Sequence, residues 1–312
     1  MKKLLFAILL LVSSTTVFPQ LNTTNEFELR KKGNVIVSAS QTASGTAGVK
    51  IQSIVYRLRQ TLSDVSNQKG KPLVSETEII LNLPNKIRTS TSRLNLSESI
   101  EIWNGEKFKS LLVIDILGNR SVMDTTNRNS NDTISDNSLS KMEGKIDKKK
   151  LDAMKSAKST KKTDPKVALQ SKLWTDLFPL ILSHPFESNL QFKYIGKAES
   201  KGKFANVVDV TSMTGQTYRL FFDSETNLLL MMTYNRTDNK GDFGGAFDGY
   251  REYKYYFTNR EKMNGLLIPR QIKGETIFKP KDGAEVKHLY TTIEVEELQI
   301  NPEINESIFE IK

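Results

Sequence analysis

Residues 216–232 read QTYRLFFDSETNLLLMM, and this stretch decides the fold. Two apolar runs, Tyr218–Phe222 and Leu228–Met232, flank a polar turn, and Arg219 is the one charged residue inside them. Side chains of a strand alternate between its two faces, so runs without alternation need cover on both sides. Because the chain offers few helices to supply that cover, we predict a hairpin within a sheet that curls on itself.

Short strand patterns continue on both sides of this hairpin. Most are separated by polar turns of hairpin length, of which Asn104-Gly105 carries the strongest hairpin signal. We predict about twelve strands in antiparallel meanders. The remaining strands are expected at Ile51–Leu62, Val74–Leu83, Lys86–Ser92, Ser99–Trp103, Lys107–Ile114, Leu190–Glu199, Lys203–Ser212, Tyr250–Phe257, Leu266–Phe278 and Val286–Ile300.

Two segments favour helix. Residues 22–48 predict a weak one. A second helix is predicted at about 165–182. Asp164-Pro165 is typical of a helix start, and apolar residues follow at spacings of three and four. We expect this helix to kink or end at Pro179. We therefore predict a mainly β fold: an open, curved antiparallel β-half-barrel with one or two helices as a lid.

The N-terminus has the plan of a secretory signal peptide. Lys2 and Lys3 precede the apolar run Leu4–Val12, which is too short to span a membrane. We expect residues 1–20 to be removed, leaving one domain over 21–312 that is soluble, secreted and periplasmic. The chain has no cysteine, which excludes a lipidated cysteine, disulfides and thiolate metal sites.

One segment is more polar than a packed domain. With Gly counted in place of Tyr, the apolar share is about 41%, below the usual ~45–50%. Residues at about 119–164 account for the difference, and ten lysines against four acids lie within 141–166. We predict a solvated insertion at about 119–164, whose basic part at 141–166 contacts an anionic membrane surface or envelope membrane proteins. We expect no nucleic acid partner, since an exported protein rarely meets one.

Motifs for catalysis are absent from the sequence. It has no G-x-S-x-G elbow, no H-E-x-x-H and no Walker loop. Of the two histidines, His184 is expected at the surface or as a cap, and His288 has only strand carboxylates near it in sequence. We expect no cofactor, no metal and no enzyme activity; a hydrolase with an unrecognised carboxylate pair stays the weakest alternative.

Ligand-binding candidates come from the apolar strands and the lid. Flexible methionines and a Tyr253, Tyr255 stripe suit varied apolar guests, while core packing is the alternative for each residue. The candidate cavity or lid residues are Trp103, Trp174, Leu177, Phe178, Ile181, Phe221, Leu230, Met232, Tyr253 and Tyr255.

Two motifs resemble the LolA/LolB-like superfamily of the outer membrane lipoprotein-sorting type. These are LNLPNKIR at 81–88 and IWNGEK at 102–107, in that order along the chain. Shorter matches, including GLLIP at 265–269, extend the resemblance to the second half. It covers about 51–116 and 191–311.

The resemblance implies an open β-barrel whose helical lid closes over a hydrophobic cavity that carries lipids or lipoprotein acyl chains. The family's latch arginine, just before the Pro of the turn, is replaced here by Leu83. We therefore expect a non-catalytic carrier for a lipid or a lipoprotein acyl chain without that latch. The alternative is a cell-envelope interaction or scaffold protein with a filled core and no ligand.

Overall fold

The computed structural model describes residues 26–64, 72–93, 97–116, 119–126, 173–187, 189–200, 202–238, 249–283 and 286–311. The predicted signal peptide at 1–20, the basic run at 141–166 and the first part of the predicted lid helix lie outside these residues.

One helix precedes the sheet, and short helices follow later in the chain. Helix α1 spans Glu26–Ser44, α2 spans Phe178–Ile181, and a 3₁₀ turn spans Glu306–Phe309. The strands are β1 (Ser53–Asp64), β2 (Leu73–Asn82), β3 (Lys86–Arg93), β4 (Ser97–Trp103), β5 (Phe108–Ile116), β6 (Asn119–Asp124), β7 (Phe192–Ser200), β8 (Lys203–Thr211), β9 (Thr217–Asp223), β10 (Leu229–Asp238), β11 (Gly249–Met263), β12 (Leu266–Pro280) and β13 (Lys287–Ile300).

All the described strands belong to one antiparallel sheet with the order β6-β5-β4-β3-β2-β1-β13-β12-β11-β10-β9-β8-β7. It consists of two meanders in sequence order, joined where β1 pairs with β13. Strands β6 and β7 are its two edges. The prediction of a mainly β fold built on one open antiparallel sheet is confirmed.

Turn chemistry keeps neighbouring strands paired in sequence order. In the predicted Asn104-Gly105 hairpin, the side-chain oxygen of Asn104 accepts from the backbone N–H groups of Glu106 and Lys107, at 3.1 and 2.8 Å. Gly105 takes a φ of 98°, which side chains disfavour. Such local turns fix the pairing of strands that are neighbours in sequence, and the β1–β13 pairing is the exception.

The described residues form thirteen strands where we predicted about twelve. The additional strand is β6, which occupies residues 119–124, where the polar insertion was expected to begin. Val122 of this strand is 58% exposed although it pairs with buried Val113 of β5. Edge strands are commonly polar and short, so β6 lacks the apolar alternation by which the other strands are recognised.

The apolar faces of both meanders contribute to one core. Ile79 and Leu81 of β2 belong to the same buried cluster as Leu220 of β9 and Val295 of β13. Residues 173–182 supply the centre of that cluster. The sheet therefore curves around this segment. In β9 the residues of the apolar run alternate between buried positions and more exposed ones, so this run does not by itself require cover on both faces.

Helix α1 packs along edge strand β7. Its buried residues, Gly33, Ile36, Val37, Ser40 and Ser44, recur at spacings of three and four and form one face. At Gly33 the helix comes so close to β7 that an added Cβ would lie 2.2 Å from the carbonyl oxygen of Phe192. The absence of a side chain at this position permits the close approach.

Gly33→Ala is expected to destabilise the protein. Alanine raises helix propensity by about 1 kcal/mol, but overpacking against the Phe192 carbonyl costs more, so we expect a net loss of about 2 kcal/mol. Urea denaturation measures the change. The control Ser38→Ala, on the exposed side of α1, should stabilise slightly. A G33A protein more stable than the wild type would contradict the packing argument.

Candidate functional site

The concave face of the sheet is covered by a segment that we call the plug, residues 173–187. It is helical at 173–176 and again in α2. Pro179 lies in the first turn of α2, where its missing N–H costs no hydrogen bond. The two helical pieces are interrupted at Leu177, two residues before the proline at which a kink or end was predicted. Leu182 ends it with a left-handed φ of 50°.

Side chains of the plug fill the concave face. Trp174, Leu177, Phe178 and Ile181 are each at most 1% exposed. These four candidates therefore pack as core residues. The concave face could be filled by protein side chains or kept open for a guest. Among the described residues, the side chains of the plug fill it.

A row of aromatic rings ties the plug to the sheet. Trp174 stacks on Tyr218 of β9 at 4.9 Å and on His184 at 5.1 Å between ring centroids. The row continues from Tyr218 to Tyr234 of β10 at 5.1 Å and from Tyr234 to Tyr253 of β11 at 4.4 Å. Offset stacking favours such contacts beyond their apolar burial.

The phenol groups on this face stay protonated at neutral pH. Burial raises the pKa of Tyr234 and Tyr255 well above the ordinary value. Burial, and secondarily the carboxylate of Asp176 in the plug, raises the pKa of Tyr56 as well. The sheet therefore presents neutral hydroxyl groups to the plug, which suits contact with an apolar or weakly polar surface.

Polar anchors hold the plug at two places. One carboxylate oxygen of Glu187 accepts from the indole N–H of Trp174 at 3.0 Å and from the backbone N–H of Met213 at 3.2 Å. The side chain of Gln41 on α1 donates to the carbonyl oxygen of Leu182 at 3.0 Å. Glu187 thus links the plug to the β8–β9 turn, and Gln41 links it to α1.

The other predicted candidates are distributed over both faces. Met232 is buried on the concave face, and Tyr253 and Tyr255 are half-buried in the aromatic row. Phe221 is half-buried on the opposite face, because Tyr218, Leu220 and Phe222 alternate with it inwards. Leu230 lies at an irregularity in the β9–β10 pairing and is half-buried.

Four contributors to the site were not predicted: Tyr218, Tyr234, His184 and Glu187. Tyr218 and Tyr234 could have been placed on the concave face by strand alternation alone. His184, expected at the surface or as a cap, is 3% exposed because it stacks on Trp174. Its Nδ1 also accepts from the backbone N–H of Phe186 at 3.3 Å. Neither this contact nor the role of Glu187 leaves a signal in local sequence.

A cleft of about 530 Å³ opens beside the plug. One wall is the end of the plug, and the other is the β2–β3 turn with the end of β4, so that Trp103 lines the cleft. Apolar side chains and polar groups contribute about equally to its exposed lining. The lining residues are Val49, Ile51, Leu83, Pro84, Asn85, Ile87, Trp103, Gly105, Ser183, His184, Pro185, Phe186, Glu187 and Met213.

The described residues hold no group of three or more His, Asp or Glu side chains placed to bind a metal ion. His288 instead lies 3.0 Å from Glu275 in a row of charged side chains across β11–β13, together with Lys254 and Glu252. Among the described helices, none is long and apolar enough to cross a membrane.

No family model and no curated protein matches the chain. Solved structures do match it, each over about nine-tenths of the chain. A DUF1329 family protein from Desulfovibrio piger is 11% identical with a TM-score of 0.45, covering 89% of this chain and 97% of that one. A LolA superfamily protein from Nitrosomonas europaea is 7% identical with a TM-score of 0.46 and the same coverages.

A structure described as an outer membrane lipoprotein-sorting protein domain, from Vibrio parahaemolyticus, is 9% identical with a TM-score of 0.41. It covers 90% of this chain and 97% of its own. The chain is thus similar to a solved structure of the LolA superfamily and to one of a lipoprotein-sorting domain, the type of protein that its sequence motifs resemble. Similarity at this level describes architecture and says nothing about a shared ligand.

Glu187→Ala is expected to loosen the plug. Removing the carboxylate takes the acceptor from both Trp174 and the Met213 N–H, for a loss of about 2 kcal/mol in the free energy of unfolding. In a Trp103→Phe background, where Trp174 is the remaining tryptophan, its fluorescence should become more accessible to acrylamide. Glu199→Ala, on the exposed part of β7, is the control. Unchanged quenching in E187A would show that Glu187 does not hold the plug.

Proposed function

We propose that the protein is a non-catalytic, periplasmic carrier that binds the acyl chain of a lipid or lipoprotein. The main supporting observation is that a separate segment of chain covers the concave face of an open sheet, beside an open cleft where Leu83, Trp103 and Phe186 lie among polar groups. A cleft of about 530 Å³ is within the ~300–1,000 Å³ common for small-molecule sites.

The physical basis of binding is exchange of one apolar contact for another. Shielding a methylene group from water contributes about 0.8 kcal/mol. A chain that enters the cleft beside Leu83 and Trp103 gains this for each methylene that it buries. If the acyl chain also displaces the plug, its methylenes replace Leu177 and Phe178 against the same strands. The apolar face of the sheet then stays shielded from water.

The alternative, an envelope interaction protein with a filled core, has its own supporting observation. Trp174, Leu177 and Phe178 of the plug are already buried against the sheet. In that case the plug is permanent and the cleft stays unoccupied by lipid.

The two tryptophans distinguish these functions. Trp103 lines the cleft and Trp174 is buried in the plug. A Trp174→Phe variant reports on the cleft, and a Trp103→Phe variant reports on the plug. Dibromostearic acid, whose bromines quench tryptophan on contact, should quench Trp103 if the chain occupies the cleft, and Trp174 as well if the plug is displaced. A filled-core protein would show quenching of neither.

Leu83→Glu is expected to weaken acyl-chain binding at least about tenfold, because a charge in the cleft must lose water when the chain enters. Titration with a fluorescent fatty acid measures the affinity. Leu83 is half-buried at the end of a turn, so the fold should persist. The control is Val286→Glu, at a 45% exposed position outside the cleft. Equal affinities of L83E and the wild type for the fatty acid would show that the acyl chain does not bind in the cleft.

A further inference from the structure

Helix α1 carries an exposed apolar face. Phe27 and Val35 are 65% and 62% exposed. They are eight residues apart, with Lys31 midway, and a spacing of four places the three side chains on one side of a helix. The helix therefore presents two large apolar groups and a lysine to solvent in one line.

This face is not needed to hold α1 in place. The opposite side of the helix, with Gly33, Ile36 and Val37, packs against β7 and the core. Between Phe27, Val35 and the neighbouring Gln191 runs an open groove of about 590 Å³. Large exposed apolar side chains on an otherwise packed helix are typical of a contact surface.

The charges beside this face are mainly basic. Arg30, Lys31 and Lys32 follow one another on exposed positions. The acids at the start of α1 are Glu26 and Glu28, and Glu26 pairs with Arg30 at 3.2 Å and with Lys193 at 2.7 Å. With Lys193 of β7 included, four basic groups face these two acids, so the balance stays basic although Arg30 is partly neutralised. Lys32 lies over the ring of Tyr194 at 3.7 Å, on the side of the helix that faces β7.

We propose that the outer face of α1 docks on an anionic lipid surface, with Phe27 and Val35 entering the interface and Arg30 and Lys31 meeting the headgroups. Apolar side chains flanked by Lys and Arg on one helix are the chemistry of interfacial helices. This docking does not depend on the cleft, because α1 supplies none of the cleft's lining residues.

Helix α1 connects the docking face to the plug. The same helix contacts the plug at its other end, where Gln41 donates to the Leu182 carbonyl oxygen. A carrier so oriented can exchange an acyl chain with the surface on which it rests.

Vesicle binding of the full chain tests the proposal. The expected result is binding to phosphatidylglycerol–phosphatidylcholine vesicles that weakens with salt, and much weaker binding to pure phosphatidylcholine. The double variant Phe27→Ser/Val35→Ser should lower the partition coefficient at least about tenfold. Lys31→Gln should lower the partition coefficient about fivefold, because one lysine near an anionic leaflet contributes about that much to binding. The control Phe204→Ser replaces a 49% exposed aromatic on β8 and should bind as the wild type does.

Site-specific labels give a second measurement. Because the chain has no cysteine, Val35→Cys and Phe204→Cys can each be labelled with the environment-sensitive dye NBD. We expect a blue shift on anionic vesicles at position 35 and none at 204. Shifts at neither position, or undiminished binding of F27S/V35S, would overturn the proposal. So would sedimentation showing that F27S/V35S dissociates a dimer, since a second copy would then be the partner.

Acyl-chain titration of F27S/V35S separates this proposal from the carrier function. The double variant should bind the fluorescent fatty acid in solution as the wild type does, while L83E should bind vesicles normally. Loss of fatty-acid binding in F27S/V35S would contradict the independence of the two sites.

Discussion

The concave face of the sheet imposes the main constraint on this structure. An open sheet cannot close on itself, yet its inner face carries Tyr218, Leu220 and Phe222 on β9 alone. Leaving such a surface in water costs about 25 cal/mol for each Å² of apolar area. The plug removes it from water, and the stacking of Trp174 on Tyr218 sets its position.

The pairing of β1 with β13 makes the two meanders one sheet. Each meander is built from local hairpins, whereas this pairing joins residues from the two ends of the domain and carries a larger closure entropy. Asn301 fastens the join: its side-chain oxygen accepts from the N–H of Gln52 at 2.6 Å, and its amide donates to the Lys50 carbonyl at 2.7 Å. The two halves thereby form one concave face that the plug can fill.

Much of the fold was predictable because its elements depend on neighbours in sequence. The alternation in β2 placed Thr77, Ile79 and Leu81 on the buried face, and the structure agrees. Strand β6 escaped prediction because an edge strand needs little apolar surface. Phe221 was assigned to the cavity from an apolar run, although strand alternation directs it to the outer face.

The sequence by itself determined the meanders, the curvature and the amphipathic segment around Trp174, because periodicity and turn chemistry act over a few residues. Only the tertiary structure decided that this segment fills the concave face, that Glu187 joins Trp174 to the β8–β9 turn, and that α1 turns Phe27 and Val35 outwards. These features depend on side chains that are distant in sequence. Their contacts exist only once β1 and β13 have brought the two halves together.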